Sequence, residues 1–163
     1  MNYSCLHTHT SFCDGGGSVE DFCKAAYEKK LVSLGFSAHA PVSPKTGLKT
    51  DWHLRAGRFD EYRQAVRNAG AAWRGKLDVY LGLEIDYIEN GAGVVLSADD
   101  FNHEQHGLDY LIGSVHYVTP HRCVDCPPAE FEKLLREDFD GDAMALVDSY
   151  WDRMERMLEK GGF

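Results

Sequence analysis

Four short apolar runs divide the chain, and each closes in polar residues spaced two apart. Tyr3-Ser-Cys-Leu leads into His7-Thr-His9, and Leu31-Val-Ser-Leu-Gly-Phe36 leads into Ser37-Ala-His39. Leu77-Asp-Val-Tyr-Leu-Gly-Leu83 closes in Glu84-Ile-Asp86, and Tyr110-Leu-Ile-Gly closes in Ser114-Val-His116. Runs of this length, bounded by turn residues, predict strands. The segments between them carry helical spacing. Ser18-Val-Glu-Asp21 has the form of a capping box with Asp in place of Glu, so a helix starts at Ser18. Phe22, Ala25, Ala26 and Lys29 then follow at helical intervals up to Lys30. Phe59, Tyr62, Val66, Ala69 and Trp73 mark a second helix that ends near Gly75. Ser97-Ala-Asp-Asp-Phe opens a short third helix before Gly107. A fourth runs from Pro128, suited to a first turn, to Phe139. After the break at Gly141-Asp142, Ala143 to Lys160 predicts a long last helix whose apolar face is Leu146, Tyr150, Met154, Met157 and Leu158.

Strands alternating with helices imply an α/β fold with a parallel sheet and right-handed crossovers. Parallel strands present their functional groups at one edge, the carboxyl ends. Residues two apart on an extended chain point the same way, so His7 and His9 offer two imidazoles from one strand end. His7, His9, His39, Glu84 and His116 are therefore expected to converge on one rim, with Asp14 folding back from the glycine-rich loop that follows His9. A lone His-x-His is weak evidence, since two surface histidines would read the same. Four strand ends that each supply a His or Glu are not a product of core packing: a charge at the end of a buried strand is penalised unless a partner or a metal ion offsets it. The pattern predicts a transition-metal site.

Composition narrows the partners. The 163 residues hold 17 basic and 26 acidic side chains, a net charge of −9. Such a chain repels nucleic-acid phosphate over much of its surface, and no basic stripe or aromatic RNA motif is present, so no nucleic-acid partner is expected. A small phosphate ester can still bind where divalent ions reverse the local field. No run of eighteen apolar residues exists and no basic segment leads into an apolar core at the N-terminus, so neither a membrane span nor a secretion signal is expected, and the cytoplasm is the expected location. Five cysteines, Cys5, Cys13, Cys23, Cys123 and Cys126, form an odd set without framework spacing and read as reduced thiols. Cys123-Val-Asp-Cys126 has no second pair to complete a four-ligand zinc site and reads as two loop thiols. There is no internal repeat and no low-complexity tract.

The motifs His7-Thr-His9 with Asp14-Gly15, Gly35-Phe-Ser-Ala-His39-Ala-Pro41, Gly82-Leu-Glu84-Ile-Asp86 and Gly113-Ser-Val-His116 together resemble the PHP (polymerase and histidinol phosphatase) superfamily. The wording of the second and third is most similar to its histidinol-phosphatase branch. The resemblance runs over nearly the whole chain, residues 1–163 as one PHP domain, with the motifs in the family's order. It implies part of a distorted (β/α)7 TIM-like barrel with a centre of two to three zinc, manganese or iron ions, and hydrolysis of L-histidinol phosphate to L-histidinol and phosphate in histidine biosynthesis. By the resemblance His7, His9, Asp14, His39, Glu84 and His116 stand at metal-ligand positions, with Glu84 bridging two ions. Family members are longer and carry further ligand and arginine motifs after the point where this sequence stops. The resemblance therefore implies an N-terminal portion of such an enzyme, whose two halves of the barrel would meet at a face open to self-association.

Two loops stand on the substrate side. Pro41 to Arg55, between the second strand and the second helix, is long enough for a lid or binding loop and carries Trp52, His53 and Arg55. Tyr117 and Arg122 follow His116 closely, and Arg suits bidentate phosphate contact. Trp52, Arg55, Tyr117 and Arg122 are thus the expected substrate contacts, and Asp14, Glu84 and His116 the expected catalytic residues. The chemistry expected is attack by a metal-activated water, with Asp14, where it is not a ligand, accepting or shuttling a proton. No Asp-x-Asp after an apolar strand and no Cys-x5-Arg loop offers a side-chain nucleophile. The competing readings are another phosphoesterase of the superfamily, acting on phosphotyrosine, nucleotides or DNA ends, and a metal-binding module without turnover.

Overall fold

The computed structural model describes residues 2–101 and 103–163, and the predicted elements form where local chemistry asks for them. A short strand, β1 (Tyr3–Cys5), precedes helix α1 (Val19–Glu28). Ser18 caps that helix: its Oγ accepts from Asp21 N at 3.2 Å, and its own N–H donates to Asp21 Oδ2 at 2.9 Å. Val19, Cys23 and Ala26 form the buried stripe of α1. The chain reverses at Lys30, whose φ of 61° is left-handed, into β2 (Leu31–His39). Every residue of β2 from Ser33 to His39 is buried, as in a parallel strand covered on both faces. Helix α2 (Phe59–Ala72) buries Tyr62, Val66 and Ala69 and leads into β3 (Asp78–Asp86).

Three further strands follow: β4 (Ile88–Asn90), β5 (Gly93–Leu96) and β6 (Tyr110–Ser114). One sheet has the order β1-β2-β3-β6, with β1–β2 and β2–β3 parallel. Its register sets His39 beside Glu84. The ladder runs on past the formal strand ends, since Ser37 N donates to Thr8 O at 3.0 Å and Ala40 N to Glu84 O at 2.7 Å. Tyr62, fully buried on α2, donates its hydroxyl hydrogen to Gly82 O at 2.8 Å and accepts from Ala38 N at 3.3 Å, tying the helix to both strands just before their functional ends. The Tyr110 ring lies against Gly82 so closely that a Cβ there would come within 2.5 Å of Tyr110 Cζ. The Tyr110 hydroxyl donates to Leu6 O at 2.7 Å.

The chain divides into two compact units, Met1–Val42 with Lys49–Glu84 and Asn102–Ile112, and Ser43–Leu48 with Ile85–Phe101 and Gly113–Phe163. In the second, β4 and β5 form an antiparallel hairpin that the apolar pattern did not predict. The Asn90-Gly91-Ala92-Gly93 run was its sequence signal: Asn90 pairs with Gly93 across the turn, Asn90 Oδ1 accepts from Ala92 N at 2.8 Å, and Gly93 takes a φ of 119°. The expected short third helix is a 3-10 turn, Ala98–Asp100 capped by Ser97, followed by a single helical turn α3 (His103–His106). Helices α4 (Pro128–Asp138) and α5 (Ala143–Lys160) stand where predicted. Asp142 Oδ1 caps α5 by accepting from Met144 N and Ala145 N at 2.9 and 3.1 Å. Leu146 and Met157 are buried and Tyr150 and Met154 pack beside them, but Leu158 is 66 % exposed. Adjacent helical residues point about 100° apart, and here Met157 takes the inward direction and Leu158 the outward one. Among the described residues no helix is long and apolar enough to cross a membrane.

Candidate metal centre

Five of the residues predicted to share a rim meet in the first unit: His7, His9, Asp14, His39 and Glu84. The pairing of Thr8 with Ser37 extends β1 past Cys5 and aligns His7 and His9 with the end of β2, while the β2–β3 register brings Glu84 beside His39. Asp14 arrives by a tight turn in which Cys13 N and Gly15 N both donate to Thr10 O at 3.0 Å. A Cβ on Gly15 would sit 2.3 Å from the His9 carbonyl carbon, so the turn closes only with glycine there. A single oxygen lies at the centre. Glu84 Oε2 is 2.9 Å from His7 Nε2, 2.9 Å from His9 Nε2 and 3.4 Å from His39 Nδ1. Asp14 reaches the other side of two of these rings, with Oδ1 2.8 Å from His9 Nδ1 and Oδ2 3.7 Å from His39 Nε2.

A carboxylate carries no proton and a neutral imidazole only one, so such a cluster is held together by extra protons or by a cation. Burial opposes charge on His9, but hydrogen bonds to Cys13, Glu84 and Asp14 outweigh it and raise its pKa to about 10. Burial likewise opposes charge on Glu84, and hydrogen bonds from His9 and His7 with the nearby His39 bring it down to about 2. The donor set also fits a divalent ion. Two ligand atoms roughly 2.0–2.2 Å from one ion, at tetrahedral or octahedral angles, lie roughly 2.8–3.6 Å apart, the range spanned by the three contacts of Glu84 Oε2. His7, His9 and Glu84 form one such group and His9, Asp14 and His39 another, each with its donor atoms within 4.8 Å of one another. The two groups share His9.

His116 belongs to the second unit, where its Nδ1 lies 2.7 Å from Asp86 Oδ1. Asp86 is buried and was not singled out from the sequence, although it stands two residues beyond Glu84 on the same strand. Tyr117 is buried, and burial and the charge of Asp86 push its phenol well above the usual range. Arg122 pairs with Glu137 and with Asp138, the latter at 3.0 Å, so its charge is engaged by α4. In the first unit, Trp52 sets its ring edge-on to His39 at 4.5 Å between centroids. The Arg55 carbonyl accepts from Arg58 N at the start of a 3-10 turn, Ala56–Arg58. Cys13 was read only as one thiol among five. Burial raises its pKa, but the hydrogen bond to His9 and backbone bonds to Thr10 and His39 bring it below the ordinary thiol value. All five cysteines are free thiols. Burial pushes Cys123 up to about 12, which leaves the Cys-x-x-Cys pair protonated and unsuited to nucleophilic work.

The chain is 30 % identical over 139 residues to the histidinol-phosphatase of Bacillus subtilis, a match that takes in 79 % of this chain and 50 % of that protein. It is 32 % identical over 116 residues to a probable histidinol-phosphatase of Deinococcus radiodurans, covering 69 % of this chain and 41 % of the relative. The chain thus spans about half the length of the curated relatives it matches. The crystal structure of hisK from Listeria monocytogenes superposes with a TM-score of 0.65 at 20 % identity, over 80 % of this chain and 52 % of that one. The fold is therefore the α/β class expected, parallel strands alternating with helices as in part of a TIM-like barrel. The family model described as PHP domain matches residues 6–159, and the chain belongs to the PHP domain family.

Proposed function

We propose that this chain is a metal-dependent phosphoric monoester hydrolase that releases phosphate from L-histidinol phosphate. The observation that carries the reading is the single buried oxygen of Glu84 with three imidazole nitrogens around it. The names of the relatives supply the substrate. His7, His9, Asp14, His39 and Glu84 would hold zinc, manganese or iron, about two to three ions with His116 counted among the ligands and Glu84 bridging. The donor chemistry, imidazole and carboxylate, suits all three metals.

Divalent ions held there supply a water ionised near neutral pH and positive charge against the phosphate. The chain's own residues do the rest. Asp14 Oδ1 accepts the Nδ1 proton of His9, which leaves His9 Nε2 its lone pair and aims it toward the site. Where Asp14 is not held as a ligand, its carboxylate accepts or shuttles a proton. Asp86 does for His116 what Asp14 does for His9, engaging its Nδ1. Trp52, Arg55 and Tyr117 are the proposed substrate contacts, while Arg122 would reach a phosphate only by exchanging Glu137 and Asp138 for it. A net charge of −9 favours a small ester over nucleic acid. The same reading places the activity in the cytoplasm and includes self-association, for which the exposed Met144, Trp151 and Leu158 of α5 offer apolar surface.

The test is phosphate release from L-histidinol phosphate by the purified chain with manganese or zinc, beside Glu84→Gln and His116→Ala. Release that both substitutions abolish is the expected result. Metal uptake without release assigns the chain to the non-catalytic module instead. Failure to take up metal overturns the reading altogether.

A further inference from the structure

We propose that Trp52 and His53 are positioning residues that brace the imidazole of His39 in the orientation a metal ligand needs. The inference rests on the metal reading of the site and goes beyond it by assigning a role to a loop that contributes no ligand.

An imidazole at a strand end turns freely about two bonds, and a ligand that must be ordered at the moment of binding loses affinity for that reason. The His39 ring is not free to turn. His9 lies against it edge-to-face at 4.3 Å and 81°, and Trp52 lies against it at 4.5 Å and 83°. Trp52 is itself stacked on His53, with ring centroids 3.7 Å apart and planes 31° from parallel. His53 is 6 % exposed, and its Nδ1 is 2.6 Å from Thr50 Oγ1. The next residue, Leu54, is fully buried and donates its N–H to His39 O at 3.0 Å. Within the segment Thr50 to Leu54, therefore, Leu54 holds the backbone of His39 and Trp52 and His53 lie against its ring. His53 is not among the groups of side chains close enough to share an ion, so its place is behind the ligand. The order of the brace runs Thr50 to His53 to Trp52 to His39. It acts on metal binding with or without substrate, which separates it from a simple substrate contact.

The experiment measures Mn2+ affinity by competition with a chelator for the wild type, W52F, W52A and T50V, with far-UV circular dichroism of each. W52A should weaken Mn2+ binding about tenfold or more, the scale typical of partners that orient metal-ligating histidines. W52F, which keeps an aromatic edge against His39, should restore most of that loss. T50V leaves both rings in place and removes the hydroxyl beside His53 Nδ1, so it tests the brace even if W52A fails to fold; it should weaken binding in the same direction. In a W73F/W151F background Trp52 is the one indole left, and its emission should be quenched by Mn2+ with the midpoint found by competition. Wild-type affinity in W52A or T50V, a W52F as weak as W52A, or Trp52 emission indifferent to bound Mn2+ would each overturn the brace alone. A wild type that takes up no Mn2+ would overturn the metal reading first.

Discussion

At the scale of single residues, Glu84 concentrates the chemistry. Its Oε2 serves three imidazoles at once, so Glu84→Gln replaces a charged, bridging oxygen with a neutral amide that cannot serve them. Metal affinity should fall by at least the roughly 100-fold that losing an outer-shell partner can cost, as read by metal content after dialysis. Full occupancy in the variant would refute the bridging role. The pH dependence of the metal-free chain follows from the same contacts. Glu84 is held at about 2 against an ordinary 4.5, so its contribution to stability is complete above pH 4.5 and is lost as pH falls toward 2. His9 is raised to about 10 from 6.5, so its contribution is complete below pH 6.5 and is lost as pH rises toward 10. The cluster should therefore stabilise the chelator-treated protein most between these limits, pH 4.5 and 6.5. Urea midpoints measured across the pH range check this, and a midpoint that stays level from pH 6 to 10 would argue against a protonated His9. Saturating zinc should abolish the alkaline decline, because the ion takes the proton's place.

At the scale of elements, the site depends on how β2, β3 and α2 are locked just before their ends. Tyr62→Phe leaves Gly82 O and Ala38 N without the hydroxyl that joins them and should cost about 1–3 kcal/mol. Gly82→Ala sets a methyl against the body of the Tyr110 ring, which is not the tip of a flexible chain and cannot swing aside cheaply. Overpacking of this kind costs about 1–3 kcal/mol. Because it also displaces the Tyr110 hydroxyl from Leu6 O, next to His7, it should weaken metal binding as well. Urea denaturation and chelator competition on the two variants measure both effects. A Gly82→Ala protein with wild-type stability would show that the sheet yields there without cost. Ser18, by contrast, caps α1 away from the metal cluster, and Ser18→Ala should lose about 1 kcal/mol of stability while leaving metal affinity intact.

For the whole molecule, folding and metal binding are expected to be one linked equilibrium. The candidate ligands come from the segment that follows β1, from β2 and from β3, and meet only in the folded chain, so an ion that binds there stabilises the fold by mass action. At a free metal concentration 100 times Kd the gain is about 2.7 kcal/mol. Thermal unfolding should therefore move upward with added zinc or manganese and return with chelator; an unchanged transition at saturating metal would mean that the cluster does not bind in the folded state alone. The acidic balance, 26 against 17 charges, makes the loaded site a local reversal of an otherwise negative field, which suits a small phosphate ester.

Much of this was legible in the residue pattern. Period-two polar pairs at the ends of apolar runs predicted β1, β2, β3 and β6 and the edge where His7, His9, His39 and Glu84 meet, and the capping box at Ser18 and the helical spacings predicted α1, α2, α4 and α5, because these signals are local and a chain of a few residues already expresses them. The hairpin at Asn90-Gly91 was also written locally but was masked by the absence of a long apolar run. Leu158 was assigned to the core because hydrophobicity alone does not say which of two neighbouring residues faces inward. The rest had no local trace. His7 and Glu84 stand 77 positions apart, so that one oxygen should serve three imidazoles is a fact of register and of where the ladder continues past its strands. The pairing of Asp86 with His116, the return of Asp14 onto His9 and the aromatic brace behind His39 are likewise distances between segments. The sequence by itself determined which groups would be offered at the sheet's edge; only the tertiary structure decided which of them meet, since contact depends on packing that no spacing along the chain encodes.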